Sequence, residues 1–140
     1  MKEISCGAIL YTEENGKRYY VLIMEANGSY GFPKGHLIEG ESEIECAKRE
    51  IKEETGIDAK IISNIKRTIQ YPLITKNIKE VTYFLAKYDN QDLNPEDDNI
   101  LGAKKYDIQT ALSLIKFNQM KNILIEMDYI IDVMGGNLWK

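Results

Sequence analysis

The sequence predicts an α/β fold in which a mixed β-sheet carries helices on its faces. The chain has 140 residues, 44% of them hydrophobic, which is enough for one sizeable core and a single domain over residues 1–140. Segments typical of strands and helices follow one another as strands, helix, strands, helices, an order that favours helices packed on a mixed sheet. No glycine- or serine-rich linker interrupts this order.

Two strands joined by a tight turn are predicted at the start of the chain. Residues 4–11 and 18–25 are rich in apolar and β-branched side chains, which favour strands. The polar dipeptide Asn15-Gly16 lies between them, so the two strands should form a hairpin. Residues 27–40 follow, and their glycines and proline indicate a loop.

The clearest helix of the sequence spans residues 42–54. Ser42 and Glu45 are three positions apart, the spacing of a capping box at a helix N-terminus. Gly56 follows the last helical position and is a typical stop signal. At about 100° per residue, one stripe of this helix is apolar and should face the core. The stripe comprises Ile44, Ala47 and Ile51.

The next part of the chain is predicted to form two further strands. Residues 59–71 and 79–88 are rich in β-branched and aromatic side chains, and the second segment alternates between apolar and polar positions. Residues 91–99 are acidic and polar and indicate a loop.

Two helices are predicted at the C-terminal end of the chain. Asp107 should cap a short helix through Ile115, and Asn118 should cap a longer amphipathic helix to about Met134, before Gly135. The predicted core stripe of the longer helix comprises Ile123, Ile125, Tyr129 and Ile130. These helices would complete the layers around the sheet.

Charge and composition argue against several classes of function. The net charge of −4 and the pI of about 5.1 disfavour broad nucleic-acid binding, which requires a basic face. Cys6 and Cys46 provide no disulfide framework and are expected to be reduced thiols in a cytoplasmic protein. We expect neither a signal peptide nor a membrane-spanning segment, and the sequence carries no signal for an oligomeric state.

Three glutamates of the 42–54 helix are placed to bind metal ions. Glu50, Glu53 and Glu54 have the i, i+3, i+4 spacing that brings side chains together on a helix surface. Like charges so close repel one another, and a bound cation relieves that repulsion. Oxygen ligands without histidine or cysteine suit Mg²⁺ or Mn²⁺. Arg49, four residues before Glu53, can pair with that carboxylate and orient it.

The glutamate cluster alone is equally compatible with a solvated acidic helix face. The loop of residues 35–41 changes the balance, because it leads into the helix N-terminus and its backbone N–H groups can bind phosphate. Glu41 reaches back toward the same region. The combination favours a site for metal ions and phosphate over a solvated surface.

The spacing of these residues resembles the Nudix box, the motif of the Nudix hydrolase family. Every fixed position of that motif is filled within residues 35–57, by Gly35, Glu41, Arg49, Glu50, Ile51, Glu53, Glu54, Gly56 and Ile57. The resemblance implies the Nudix fold, an α/β/α sandwich around a mixed sheet. It also implies a hydrolase in which two or three divalent ions bridge the substrate phosphates and activate a water molecule.

The resemblance also assigns roles to the residues of the box. Glu50, Glu53 and Glu54 would be the metal ligands, and Arg49 would orient them. Arg49, Glu53 and Glu54 are thus the predicted catalytic residues. Glu54 is the predicted general base, although members of the family differ and the base can lie outside the box.

Outside the box the chain is similar to the asymmetric diadenosine tetraphosphate hydrolases. Residues 30–36 resemble a loop of those enzymes, with Tyr30 in place of a tryptophan. Residues 65–71, 79–86 and 117–121 resemble two of their strands and the start of their last helix. This similarity implies five substrate-binding residues, which are Lys34, His36, Tyr71, Lys79 and Tyr83.

Each of these five residues has a second interpretation. Lys34 and Lys79 would neutralise phosphate charge, or they are ordinary surface lysines. His36 would donate a hydrogen bond to a phosphate oxygen, or it is a loop residue without a role. Tyr71 and Tyr83 would stack on adenine, or they pack within the core.

One part of the chain departs from the related enzymes. Those enzymes place a glutamate in the loop before the C-terminal helices, where it serves as a further metal ligand or as the base. An ungapped alignment puts Asn99 at that position, and Glu96 or Asp98 would replace it after a small shift. The general base is therefore left open between Glu54 and a residue of the 96–99 loop.

The resemblance implies Mg²⁺-dependent hydrolysis of diadenosine tetraphosphate to ATP and AMP. One alternative keeps the chemistry but changes the substrate to a nucleoside triphosphate, a sugar nucleotide or an RNA 5′ end, and the acidic pI disfavours RNA. Another alternative is a non-catalytic module that senses nucleotides. Such a module would be free to lose ligand carboxylates, whereas all of them are present here.

Overall fold

The computed structural model describes residues 1–139 and confirms a mixed sheet with helices on both faces. The strands are β1 (Lys2–Glu14), β2 (Lys17–Glu25), β3 (Tyr30–Gly31), β4 (Lys34–His36), β5 (Lys60–Pro72), β6 (Ile78–Lys87) and β7 (Ile100–Tyr106). The helices are α1 (Glu43–Thr55), α2 (Ile108–Leu114) and α3 (Asn118–Met134), followed by a 3₁₀ turn over Gly135–Trp139. None of the helices within residues 1–139 is both long and apolar enough to cross a membrane.

Strand β1 is the centre of the sheet and determines which side chains share a face. It pairs antiparallel with β2, as the predicted hairpin requires, antiparallel with β4, and parallel with β6. Ser5 on β1 is opposite His36 on β4, and Gly7 is opposite both Lys34 on β4 and Tyr83 on β6. Because paired residues project from the same side of a sheet, these side chains lie together on one face.

Helix α1 covers one face of the sheet, and α2 and α3 cover the other. Ala47 and Ile51 are fully buried and Ile44 is partly buried, which confirms the predicted apolar stripe of α1. Each large aliphatic side chain so buried contributes about 1.5–3 kcal/mol to folding. The two cysteines, Cys6 and Cys46, are buried on this side as free thiols.

The predicted capping signals of α1 are present at both ends. Ser42 Oγ accepts the Glu45 N–H at 3.1 Å, and the Glu45 carboxylate accepts the Ser42 N–H at 2.9 Å. Gly56 ends the helix with φ of 78°, and a Cβ there would collide with the carbonyl oxygen of Asn94. Only glycine fits this position, and the close contact holds the loop after β6 against the end of α1.

Two predictions for helix α3 are wrong. Asn118 is the first helical residue rather than the cap, and Phe117 takes the cap position without a side-chain hydrogen bond. Ile125 and Tyr129 are 50% and 68% exposed, so they do not belong to the core. The buried face consists instead of Met120, Ile123, Leu124, Met127 and Ile131, because the two methionines and Leu124 fill the space above the sheet.

Candidate active site

A cleft of about 400 Å³ lies where α1 meets β1, β4 and β6. Four carboxylates line it, those of Glu50, Glu53, Glu54 and Asp97. Its cationic and hydrogen-bonding residues are Ser5, Lys34, His36, Arg49 and Lys79. We call it the carboxylate cleft. It brings together all the predicted catalytic and metal-binding residues and three of the five predicted substrate-binding residues.

Arg49 ties the 35–41 loop to helix α1. Its Nε and Nη2 atoms donate to the two carboxylate oxygens of Glu41 at 2.7 and 3.0 Å. Nη1 donates to Glu50 at 2.7 Å and lies 3.3 Å from an oxygen of Glu53. The predicted pair of Arg49 with Glu53 is therefore present, but its distance is longer than the distances from Arg49 to Glu41 and Glu50. Arg49, with the Ile38 N–H, lowers the pKa of Glu41 to about 2.

Glycine at position 35 is required by the carboxylate of Glu50. A Cβ on Gly35 would collide with all three atoms of that carboxylate group, so the β4 backbone and Glu50 are in direct contact. Glu50 is 8% exposed, and its burial raises the pKa of the carboxyl while Arg49 opposes the rise. The glycine thus sets how closely a buried carboxylate approaches the 35–41 loop.

Glu54 is the most strongly perturbed acid of the cleft. It is 8% exposed, and its Oε1 accepts the backbone N–H of Lys34 at 2.9 Å. Burial raises the pKa of Glu54 from 4.5 to about 8, against the opposing Lys34 N–H and with a further contribution from the charge of Glu50. A pKa near neutrality suits a general base, and a bound cation would favour the ionised form.

The raised pKa of Glu54 predicts a loss of stability with increasing pH in the metal-free protein. Between pH 4.5 and about 8 the folded chain binds this proton and the unfolded chain does not, so raising the pH removes stabilisation. Glu54→Gln cannot ionise. It should raise the free energy of unfolding by about 2–4 kcal/mol above pH 8 and change it little near pH 4.5. Urea unfolding in EDTA measures the free energy of unfolding of both proteins near pH 4.5 and above pH 8. If the substitution changes it equally at the two pH values, the pKa of Glu54 is not raised.

The far end of the carboxylate cleft is electropositive. Lys79 is only 7% exposed, and burial, followed by the charge of Lys34, lowers its pKa. Lys79 Nζ lies 3.4 Å from His36 Nδ1. Ser5 is 1% exposed, and its Oγ has no hydrogen-bond partner within residues 1–139. Two ammonium groups and an unpaired buried hydroxyl together suit the oxygens of a phosphate chain.

A second cleft, of about 470 Å³, is lined by five aromatic side chains together with Lys34, Glu25 and smaller polar or apolar residues. Tyr30, Tyr71 and Phe117 line it at the surface, and Phe117 is 68% exposed. Tyr83 is 1% exposed and packs edge-on against Phe32 with ring centroids 5.7 Å apart, so it belongs to the core and forms part of the floor. We call this the aromatic cleft. It contains Tyr71 and Tyr83, the two predicted substrate-binding residues that the first cleft lacks.

One carboxylate of the first cleft, that of Asp97, belongs to the 96–99 loop left open above but was not singled out there. Asn99, Glu96 and Asp98 were the residues named, whereas Asp97 is the one that lines the cleft. The backbone N–H groups of Glu96 and Asp97 both donate to the Glu53 carbonyl, at 2.8 and 2.9 Å. These bonds turn the Asp97 side chain inward, while Glu96 lies 3.8 Å from Lys52 outside the cleft. Asp97 can be identified only from the contacts between this loop and α1, which the sequence does not show.

The donor chemistry of the carboxylate cleft fits hard divalent cations. Its acidic side chains supply carboxylate oxygens, which Mg²⁺ and Mn²⁺ prefer, and cysteine, the ligand that softer metals prefer, is not among its lining residues in the described part of the chain. Within residues 1–139, no three His, Cys, Asp or Glu side chains already converge on one point. The fit therefore rests on the kind and number of donors.

Known proteins are similar to this chain in both sequence and fold. A family model of the NUDIX domain matches residues 1–126. The asymmetrical bis(5′-nucleosyl)-tetraphosphatase of Sus scrofa is 31% identical over 134 residues, covering 87% of this chain and 90% of that protein. A crystal structure of the C. elegans Ap4A hydrolase in a binary complex matches with a TM-score of 0.86 and 25% identity, over 94% of this chain and 98% of that one.

A shorter similarity extends to a viral protein. The mRNA-decapping protein g5R of African swine fever virus is 40% identical over 80 residues, which are 52% of this chain and 32% of that protein. The chain belongs to the Nudix family and is a Nudix hydrolase, an enzyme that acts on phosphoric anhydride bonds. Within this family it is similar to the asymmetrical bis(5′-nucleosyl)-tetraphosphatases, as the sequence predicted. Nudix hydrolases generally use divalent metal ions and bind small nucleotide substrates.

Proposed function

We propose that this Nudix hydrolase cleaves dinucleoside tetraphosphates, and diadenosine tetraphosphate to ATP and AMP in particular, with Mg²⁺ or Mn²⁺. The observation that carries the proposal is the position of Lys34, which lines both clefts. A phosphate chain bound among the carboxylates would pass this lysine and deliver its nucleoside to the aromatic cleft. The names of the pig and nematode relatives support the same substrate.

The carboxylates and the arginine would form the catalytic part of the site. Glu50, Glu53 and Glu54 would hold the divalent ions, which supply charge neutralisation and lower the pKa of a water molecule. Arg49 would position Glu50 and Glu53 through the contacts described above. Glu54 would take the proton of the attacking water, as its pKa near 8 allows.

The remaining residues would bind and orient the substrate. Lys34, Lys79 and His36 would contact non-bridging phosphate oxygens at the electropositive end of the carboxylate cleft. Tyr71 and Phe117 would stack on a base, since both rings are accessible in the aromatic cleft. Tyr83 would support these rings from below rather than stack itself.

A substrate panel tests the proposal. Purified protein with Mg²⁺ is assayed against diadenosine tetraphosphate, ATP, ADP-ribose, a sugar nucleotide and capped RNA, with chromatographic analysis of the products. We expect diadenosine tetraphosphate to have the highest kcat/KM of this panel and to give ATP and AMP. If it is among the slowest substrates, the proposed substrate is wrong. If every compound binds and none is cleaved by the wild type, the proposal that this site is catalytic is wrong.

Lys79→Ala should weaken substrate binding more than metal binding. The buried ammonium is proposed to meet a phosphate oxygen, and a charge-assisted hydrogen bond contributes about 1.5–3 kcal/mol, so KM should rise by about tenfold or more. The Mg²⁺ concentration for half-maximal activity should change little. Lys87→Ala, on the same strand but outside both clefts, is the matched control. Equal losses of substrate and metal affinity would remove Lys79 from the phosphate site.

Ser5→Ala should reduce activity without reducing stability. The hydroxyl is buried and unpaired within residues 1–139, so its removal should leave the free energy of unfolding unchanged or raise it by up to about 1 kcal/mol. If the hydroxyl donates to phosphate, kcat/KM should fall by about three- to tenfold. Ser63→Ala, at an exposed position of β5, controls for the substitution itself. Lower stability with unchanged kcat/KM would show that the hydroxyl serves the fold.

A further inference from the structure

One carboxylate of the aromatic cleft takes no part in the proposed hydrolysis. Glu25 ends β2 and lines this cleft beside Tyr71 and Phe117. Its side chain forms no ion pair within residues 1–139, and its one hydrogen-bond neighbour there is Ser29 Oγ, at 3.1 Å. That hydroxyl has a single proton and lies closer, at 2.7 Å, to Asn27 Oδ1. Glu25 therefore keeps most of its capacity to accept hydrogen bonds.

The backbone around Glu25 is held in a tight turn. The Glu25 N–H donates to the Ser29 carbonyl at 2.9 Å, and the Gly28 N–H donates to the Glu25 carbonyl at 2.8 Å. The carboxylate also acts electrostatically on this cleft, because its charge adds to the effect of burial in raising the pKa of Tyr71 and of Tyr83. Within residues 1–139, Glu25 is thus the one carboxylate that lines the aromatic cleft. The rest of the lining consists of Lys34, five aromatic side chains, and apolar or uncharged polar residues.

A carboxylate distinguishes between purine bases through their hydrogen-bond donors. It accepts hydrogen bonds and cannot donate them when ionised. Guanine presents two adjacent donors, N1–H and the N2 amino group, which match the two oxygens of a carboxylate. Adenine presents its N6 amino group beside N1, a lone-pair acceptor that repels the second oxygen. A base stacked in the aromatic cleft with this edge toward Glu25 would therefore gain two charge-assisted bonds as guanine and one as adenine.

We propose that Glu25 is a specificity-determining residue that makes the aromatic cleft prefer guanine to adenine. This inference rests on the proposed function, in which the cleft holds one base of a dinucleoside polyphosphate. Diadenosine tetraphosphate remains a substrate, but the guanine-containing analogue is the better one. A bidentate pair of this kind discriminates between bases by about tenfold or more.

The matched substitution at this position is Glu25→Gln, which keeps the size and removes the charge. A glutamine amide donates one hydrogen bond and accepts another, which is the pattern that adenine offers. The wild type should hydrolyse diguanosine tetraphosphate with a kcat/KM about tenfold above that for diadenosine tetraphosphate, and Glu25→Gln should abolish or reverse this ratio. Asp92→Asn, an exposed acid outside both clefts, should leave the ratio unchanged.

Binding measurements separate this inference from the proposed function. Calorimetric titration with GTP and with ATP, without added metal, measures base preference whether or not the protein hydrolyses either tetraphosphate. Tighter binding of GTP that is lost in Glu25→Gln supports the inference even if neither dinucleotide is cleaved, which would overturn only the proposed function. Hydrolysis of both dinucleotides at equal kcat/KM, or a ratio that Glu25→Gln does not move, overturns the role of Glu25.

Discussion

Replacing Glu54 with glutamine is expected to lower kcat by about a thousandfold while nucleotide binding is kept. The variant retains an oxygen that can accept the Lys34 N–H, so the local hydrogen bond and the fold should survive. What it loses is the negative charge that would bind a divalent ion and take a proton from water. Both losses act on the proposed reacting centre, whereas the lysines proposed to bind phosphate and the aromatic cleft are untouched.

Two measurements are needed, one of catalysis and one of substrate affinity. Steady-state hydrolysis of diadenosine tetraphosphate gives kcat, and equilibrium titration with the same compound gives its affinity for the variant. Glu43→Gln provides the matched control, because Glu43 is on the same helix, lies outside the carboxylate cleft and should change kcat less than threefold. If Glu54→Gln retains more than a tenth of wild-type kcat, Glu54 is neither the base nor an essential ligand.

The features that the sequence predicted correctly are those that depend on neighbouring residues along the chain. The capping box of Ser42 and Glu45 and the stop at Gly56 follow from helix geometry over one or two turns. The same geometry places Glu50, Glu53 and Glu54 along one cleft. The same holds for the hairpin of β1 and β2, whose register is set by a tight turn.

The features that the sequence did not predict depend on contacts between distant segments. The short strands β3 and β4 lie in a region predicted to be a loop, because pairing with β2 and β1 rather than local preference makes them strands. The predicted core stripe of α3 was wrong at Ile125 and Tyr129, because the side chains that pack on the sheet are those of Leu124, Met127 and Ile131, one or two positions away. Likewise, the buried, unpaired hydroxyl of Ser5 becomes apparent only when β4 and β6 lie beside β1.

Asp97 is the clearest example, and its replacement should have the second-largest effect on catalysis. Asp97→Asn is expected to lower kcat by about a hundredfold, because it removes a charge that lies in the carboxylate cleft and acts on Glu50. Asp98→Asn and Glu96→Gln are the matched controls and should each change kcat less than threefold. If either control lowers kcat as far as Asp97→Asn does, Asp97 has no special role among the acids of this loop.

The contact at Gly56 provides an independent way to move Asp97. A Cβ at this position would collide with the Asn94 carbonyl, so Gly56→Ala should displace the loop and reduce kcat although the Asp97 carboxylate is intact.

The Mg²⁺ dependence of Asp97→Asn distinguishes two roles for Asp97. If Asp97 is a ligand, Asp97→Asn should require more Mg²⁺ for half-maximal activity. If it is the general base, that requirement should stay unchanged while kcat falls. With Glu54 still present, the second result would transfer the proton-accepting role from the helix to the loop.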